Sequence, residues 1–276
     1  MQHPTTSWVN GSLVDSADPA LSVLDHGLTT GDGVFETLKA VDGRAFALTR
    51  HLDRLTRSAR GLGLPDPDHD RVREACARVL DANPVPLGRL RVTYTGGVAP
   101  LGSERGDDAP TLVVSLGTAA RRPDTTAVAV VPWRRNEHSA VAGLKTTSYA
   151  ENVVALAAAH RARASEAILA NTAGRLCEGT GSNVFVVLDG TLLTPQLSSG
   201  CLAGITRRLV IDWCGAQEAE LPLDALQRAE EVFLTSTLRD VQAVTRVDGR
   251  ELAGPGPVTT KAMAVFAERS ADDLDP

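Results

Sequence analysis

Ala142-Gly143-Leu144-Lys145-Thr146-Thr147-Ser148-Tyr149-Ala150-Glu151-Asn152 is the stretch from which the rest of the chain is read. Lys145 is one of only three lysines, with Lys39 and Lys261, among 28 basic residues. Where a positive surface charge would do, this chain writes arginine. Arginine keeps its proton inside a protein, whereas a desolvated lysine amine becomes a nucleophile or a base. The neighbours of Lys145 are small, apolar or hydroxylic. Taken alone, the stretch reads as a surface lysine on a loop before a helix; the rest of the chain argues otherwise.

Working outward, an alanine-rich helix is expected from Tyr149 to Ala164, and an apolar strand from Thr126 to Pro132. Upstream of that strand the polar, proline-containing run 118–124 reads as a linker. It separates a small N-terminal α/β domain, 1–117, from a larger C-terminal domain, 125–276, that carries Lys145. In the first domain a hairpin is expected at Trp8–Val14 around Asn10-Gly11, and His26–Gly33 reads as a tight glycine-rich loop beside a pocket. Val34–Val41 and Arg44–Leu48 form strands about Asp42-Gly43. Thr49 then caps a helix over Arg50–Gly61, whose stripe is Leu48, Leu52, Leu55, Ala59 and Leu62. A second helix follows over Asp70–Ala82, then strands Arg89–Thr95 and Thr111–Leu116 flank a Gly/Pro-rich loop. In the second domain Glu166–Ala170 is a strand. A polar loop, Cys177–Asn183, precedes the hairpin Val184–Leu188 and Thr191–Thr194. Helices are expected from Gly204 to Cys214, over Leu223–Ala229 and over Thr259–Arg269, with strands at Glu231–Thr235 and Ala243–Val247. The class is α+β in two lobes.

A chain of 276 residues with 43% hydrophobic and 22% charged residues has ordinary globular composition. A net charge of −6, without a basic stripe interleaved with aromatics, excludes nucleic acid as an expected partner. The first six residues lack a basic-then-apolar run, and no segment approaches the apolar length of a membrane span, so a cytoplasmic protein is expected. The four cysteines, Cys76, Cys177, Cys201 and Cys214, and the six histidines are scattered without metal-ligand spacing; buried free thiols and no metal are expected.

Four features converge on one chemistry. Lys145 is a scarce amine. Glu178 is a carboxylate leading into a buried strand. Gly204-Ile205-Thr206 places backbone N–H groups at a helix start, which is an anion site. Ser236-Thr237 end an apolar strand where hydroxyls also reach a phosphate. An amine, a carboxylate and two phosphate anchors are what pyridoxal 5'-phosphate requires. Singly, each has a plainer reading: a turn carboxylate, an ordinary helix start, polar residues at a strand end.

Together the motifs resemble those of the class IV aminotransferases, the fold-type IV pyridoxal-phosphate enzymes. The matching residues are Asp32-Gly33-Val34-Phe35-Glu36-Thr37, His51-Leu52-Asp53-Arg54-Leu55 and Leu144-Lys145 with Tyr149 and Asn152. They continue through Glu178-Gly179-Thr180-Gly181-Ser182-Asn183-Val184-Phe185, Gly204-Ile205-Thr206-Arg207 and Thr237–Val241. The resemblance implies a D-amino acid aminotransferase-like fold with a β-barrel-like core in the larger lobe, and a homodimer. It implies Lys145 as the Schiff-base lysine and Glu178 as the partner of the pyridine nitrogen. Arg54, Gly204, Ile205, Thr206, Ser236 and Thr237 would hold the phosphate, with Tyr149, Ser182 and Asn183 also on the cofactor.

Within the family, the Arg-x-His carboxylate trap of D-amino acid aminotransferases is absent, since the chain reads Thr95-Gly96-Gly97. The Gly-Asn-Tyr of branched-chain enzymes is replaced by Thr-Thr-Ser-Tyr. The short length, Phe35-Glu36-Thr37 and Leu238-Arg239-Asp240-Val241 look most like 4-amino-4-deoxychorismate lyase, which releases pyruvate and 4-aminobenzoate for folate synthesis. That is the expected activity. The alternative is a transaminase for D-amino acids, branched-chain amino acids or (R)-amines. Substrate contacts are expected from Phe35, Thr95, Arg105 and Arg239, with Arg89, Arg91 and Arg134 as further carboxylate binders.

Overall fold

The computed structural model describes residues 6–276. Contacts divide them into two compact units. The first comprises the described residues up to Arg121 together with Leu144–Ser148 and Leu274–Pro276; the second comprises Arg122–Gly143 and Tyr149–Asp273. In chain order Lys145 falls in the C-terminal portion, yet its segment packs with the first unit.

The first unit runs β1 (Thr6–Val9), β2 (Ser12–Asp15), α1 (His26–Thr29), β3 (Gly33–Val41), β4 (Arg44–Ala45), α2 (Leu48–Leu62), α3 (His69–Ala82), β5 (Leu87–Thr95) and β6 (Thr111–Thr118). Its six strands form one sheet in the order β2-β1-β6-β5-β3-β4, antiparallel at every pair. The turns Asn10-Gly11 and Asp42-Gly43 both have positive φ at each position, which matches the right-handed strand twist. One face of the sheet carries Val34, Leu38, Leu90, Val92 and Val114. It buries them against Leu52, Leu55 and Ala59 of α2 and Val72, Ala75 and Val79 of α3. This burial drives docking of both helices, and removing one such leucine side chain costs about 2–5 kcal/mol.

Four local expectations need correction here. Helix α2 begins at Leu48 behind Ala47, which is held in the left-handed region at φ 54, so Thr49 is not the cap; it hydrogen-bonds Asp275 instead. The early helix start shortens the expected return strand to Arg44–Ala45. His26–Thr29 is a helical turn capped by Asp25 rather than loop. Helix α3 starts one residue before the expected Asp70, with Asp68 accepting from the Asp70 and Arg71 amides.

The second unit runs β7 (Thr125–Arg135), α4 (Ala150–Arg161), β8 (Glu166–Asn171), β9 (Leu176–Gly179), β10 (Asn183–Leu188), β11 (Thr191–Pro195), α5 (Ile205–Cys214), β12 (Gln217–Ala219), α6 (Ala225–Arg228), β13 (Glu231–Ser236), β14 (Asp240–Val247), β15 (Arg250–Glu251) and α7 (Pro257–Asp272). The sheet order is β12-β11-β10-β13-β14-β7-β8-β9, with β15 on β14. The pairs β11–β12, β14–β7 and β7–β8 are parallel and the rest antiparallel. The sheet curls so that β9, at one end, also approaches β10 and β11. One core holds Val128, Ile168, Val184, Val186, Val232 and Val244; a second, of Val131, Ala155, Ala159 and Leu169, seats α4. The small side chains of α4 let it lie close on β7 and β8. Glu178 lies in strand β9 rather than in the expected loop, because Leu176–Gly179 pairs with β8. The short strands β12 and β15 carry no legible alternation.

Candidate active site

The 144–148 segment continues the first sheet along the edge of β3. Thr146 bridges Val34, and the Phe35 amide donates to the Lys145 carbonyl at 2.9 Å. That register sets Lys145 directly opposite Phe35, on the face turned away from α2. The Lys145 amine stands 4.3 Å from the Phe35 ring centroid, and the Arg91 guanidinium carbon stands 3.8 Å from it. A ring face attracts cations, so Phe35 is a seat for both. The Lys145 amide donates to Ser58 Oγ of α2 at 3.2 Å. Thr147 donates from its amide to the Gly33 carbonyl and from its hydroxyl to the Gly31 carbonyl, both at 2.8 Å.

On the opposite face Glu36 is 1% exposed. Helix spacing puts His51 and Arg54 on one side of α2, where both meet this carboxylate. His51 Nδ1 lies 2.6 Å from Oε2, and Arg54 pairs bidentately through Nε at 2.8 Å and Nη2 at 2.6 Å. Burial alone would raise the Glu36 carboxyl, but the charge and hydrogen bonds of Arg54, with His51, hold it at about 2. Burial pushes His51 the other way, below its usual value, against the pull of Glu36.

The other expected residues of this unit serve local contacts. Thr95 Oγ1 donates to Asp25 at 3.1 Å. Arg105 grips Asp32 at 2.7 and 2.6 Å and donates to the Leu62 and Gly63 carbonyls.

In the second unit Glu178 is buried, and its Oε2 accepts from the Leu202 amide at 2.9 Å. Its Oε1 lies 3.3 Å from Arg135 Nε, within ion-pair range but without hydrogen-bond alignment. Arg135 also reaches Glu151 at 2.7 Å and Asn152 at 3.2 Å, and Asn152 donates to the Thr180 carbonyl at 2.5 Å. Glu166 takes the Thr180 amide, the Thr180 hydroxyl and the Ser182 hydroxyl, shaping the loop after Glu178. Asn183 donates to the Leu202 carbonyl at 2.9 Å.

Helix α5 begins at Gly204 with no side-chain cap, and a Cβ at Gly204 would collide with Asn183 Oδ1. Ser236 ends β13 opposite Asp240, with Thr237 next in the turn. The Thr235 hydroxyl beside them is buried with no hydrogen-bond partner among the described residues. Tyr149 occupies the cap position of α4 and is half-buried. Arg239 is turned into the unit: it donates to Ser165 and Gln242 and lies 3.6 Å from Glu166. Sequence reasoning gave no role to Glu36, His51 or Arg135. The first two sat inside quoted motifs without an assigned partner. Arg135 lies beyond the expected end of its strand, because β7 runs three residues past Pro132. Among the described residues no group of three His, Cys, Asp or Glu side chains could hold a metal, and no helix is long and apolar enough to cross a membrane.

Residues 33–247 match the amino-transferase class IV family. The chain belongs to this family. It is 33% identical over 273 residues to a putative branched-chain-amino-acid aminotransferase of Methanocaldococcus jannaschii, covering 95% of both chains. It is 31% identical over 284 residues to a D-alanine aminotransferase of Listeria monocytogenes, covering 94% of both. A PLP-bound hypothetical aminotransferase from Mycobacterium tuberculosis superposes with a TM-score of 0.86 at 28% identity, over 97% of this chain and all (100%) of that one.

Class IV aminotransferases are pyridoxal-phosphate enzymes, and this chain is one. Its residues fit the cofactor. Lys145 carries the kind of primary amine with which the cofactor's aldehyde condenses. The uncapped start of α5 offers backbone N–H groups to a phosphate, with only a hydrogen atom at Gly204 in the way. The unpartnered Thr235 hydroxyl adds a donor close by in sequence to Ser236 and Thr237.

Proposed function

We propose that this class IV aminotransferase is an amino-acid transaminase, with Lys145 as the lysine that binds the cofactor and moves the proton. The observation that carries the reading is the seat of Lys145 opposite Phe35, with Arg91 over the same ring. A transaminase needs an amine that bonds reversibly and then serves as a base, beside a cation that reads a carboxylate. Bound cofactor supplies an electron sink for the proton removal. Lys145 would take the proton from the α-carbon of the amino acid and return it two atoms away, on the far side of the amino nitrogen. Glu178, held by Leu202 and facing Arg135, is the partner of the pyridine nitrogen. The α5 start with Ile205 and Thr206, with Ser236 and Thr237, would hold the phosphate, and Arg54, Tyr149, Ser182 and Asn183 are assigned to the cofactor by the family resemblance.

Relatives named as aminotransferases of branched-chain amino acids and D-alanine support this alternative over the lyase expected first. Arg91 is favoured over Arg105 and Arg239 as the carboxylate reader because it shares the Phe35 ring with Lys145, while Arg105 is engaged with Asp32 and Arg239 with Ser165. We infer a homodimer by family likeness, checked by light scattering at micromolar concentration. The deciding assay offers L- and D-amino acids with 2-oxoglutarate or pyruvate as acceptor, and 4-amino-4-deoxychorismate separately. Amino transfer from an amino acid supports the proposal. Pyruvate release from the chorismate derivative without amino transfer restores the lyase.

A further inference from the structure

His26 opens α1 and is 2% exposed. Its Nδ1 lies 2.9 Å from Asp32 Oδ2, and its Nε2 lies 3.0 Å from the Gly102 carbonyl. Both partners are acceptors. Arg105 donates to Asp32 through two nitrogens and holds that carboxyl below its usual range, so it brings no proton; a carbonyl has none. A neutral imidazole has one N–H and one bare nitrogen. Whichever tautomer it took, one contact would set two lone pairs face to face. Only the imidazolium satisfies both.

The groups around this ring tie three segments together. Arg105 faces it from the 97–110 loop and also donates to the Leu62 and Gly63 carbonyls at the end of α2. Asp25 lies one residue before it, its carboxylate taken by the Gly27 amide and Thr95 hydroxyl. Asp32 is the centre of the Gly31–Gly33 turn, whose two glycine carbonyls receive Thr147, two residues past Lys145. Gly31 also packs on the Ser148 side chain.

We propose that His26 is a protonated positioning residue: its imidazolium closes a clasp of Asp32, Gly102 and Arg105 that fixes the Gly31–Gly33 turn and, through Thr147, the segment that presents Lys145. The clasp opens when the proton leaves, because one of the two acceptors must then be released. The Asp32 hydrogen bond first, then the Gly102 carbonyl, raise the ring above its ordinary 6.5 against the effect of burial. A raised folded value means that the clasp stabilises fully below 6.5 and is lost as pH rises through the folded value. The link to catalysis rests on the proposed role of Lys145; the clasp itself does not.

The test titrates the full chain labelled with nitrogen-15 histidine. His26 is assigned by its absence in His26→Gln or, should that variant not fold, by its shift in Arg105→Gln. The expected result is a midpoint above 6.5 with both ring nitrogens protonated below it. Amide hydrogen exchange, corrected for its intrinsic pH dependence, should quicken at residues 98–106 and 145–148 across that same midpoint. Asp32→Asn should bring the midpoint to 6.5 or lower and quicken the same amides already at about pH 6. A wild-type midpoint at or below 6.5 overturns the proposal, as does exchange at 145–148 that stays flat through it. If borohydride fails to fix the cofactor on Lys145, the transaminase reading fails while these measurements stand.

Discussion

Lys145 and Phe35 face each other across a strand edge: the Phe35 amide donates to the Lys145 carbonyl at 2.9 Å while the Lys145 amine rests 4.3 Å from the centre of the Phe35 ring. The backbone bond fixes register, and register fixes the face from which the amine projects. Leu144, one residue earlier, points the other way and packs on Gly61 of α2. A shift of one residue would exchange the two. The lysine is therefore placed by the sheet and not by its own loop.

Lys145→Ala should abolish covalent attachment of the cofactor. The wild-type protein should be yellow, with a visible band that borohydride removes and a reduced cofactor fixed to Lys145 on peptide mapping. Any cofactor bound by the variant should wash out on gel filtration. An unchanged band in the variant would remove Lys145 from its role.

Glu178→Gln keeps one oxygen for the Leu202 amide and removes the charge that faces Arg135. A carboxylate raises the pKa of a nearby pyridine nitrogen; a neutral amide does not. Turnover per bound cofactor should fall by about two orders of magnitude, on the scale of roughly 1.4 kcal/mol per tenfold. Cofactor affinity should change much less, because the start of α5 is untouched. Near-normal turnover at saturating cofactor would reduce Glu178 to a structural residue.

The two arginine positions should separate by readout. Arg91→Gln should raise KM for the amino acid about ten- to a hundredfold while thermal stability stays close to wild type, as expected for a lost carboxylate contact. Arg239→Gln should instead lower stability by about 1–3 kcal/mol, because Ser165 and Glu166 lose their buried partner. Steady-state kinetics and denaturant melts on both variants check this. A KM effect confined to Arg239 would reverse the assignment.

The sequence made some of this legible and hid the rest for physical reasons. Asn10-Gly11, Asp42-Gly43 and Asp189-Gly190 are short-range turn signals, and each makes its hairpin. The stripe of α2 is equally local. The helix start at Ala47 depends on a left-handed residue with no sequence mark, and propensity pointed to Thr49 instead. Strand β9 is four residues long and is recognisable only by its partner β8. The scarcity of lysine singled out Lys145. Arginine abundance gave no such help: Arg54, Arg105, Arg135 and Arg239 are told apart by the carboxylate the fold brings to each, and Arg91 by the Phe35 ring it lies over.

The buried cluster of Glu36, Arg54 and His51 makes a prediction about acid. Glu36 sits at about 2 in the folded chain against an ordinary 4.5. A depressed carboxyl contributes stability that is present above the unfolded value and is lost as pH falls through the folded one. His51 is depressed as well, so its contribution is present above 6.5 and erodes as pH drops below it. Both act in the same direction. Stability of the first unit should therefore decline from about pH 6.5 downward and steepen between 4.5 and about 2, a total on the order of a few kcal/mol. Glu36→Gln removes the charge but leaves Arg54 buried without its counter-ion. It should cost about 3–5 kcal/mol at neutral pH and flatten the acid limb below 4.5. Urea melts across this range, on wild type and variant, measure both effects. A variant that keeps the wild-type acid slope would show that another carboxylate governs it. A variant of unchanged stability at neutral pH would show that Arg54 finds a second partner when Glu36 is gone.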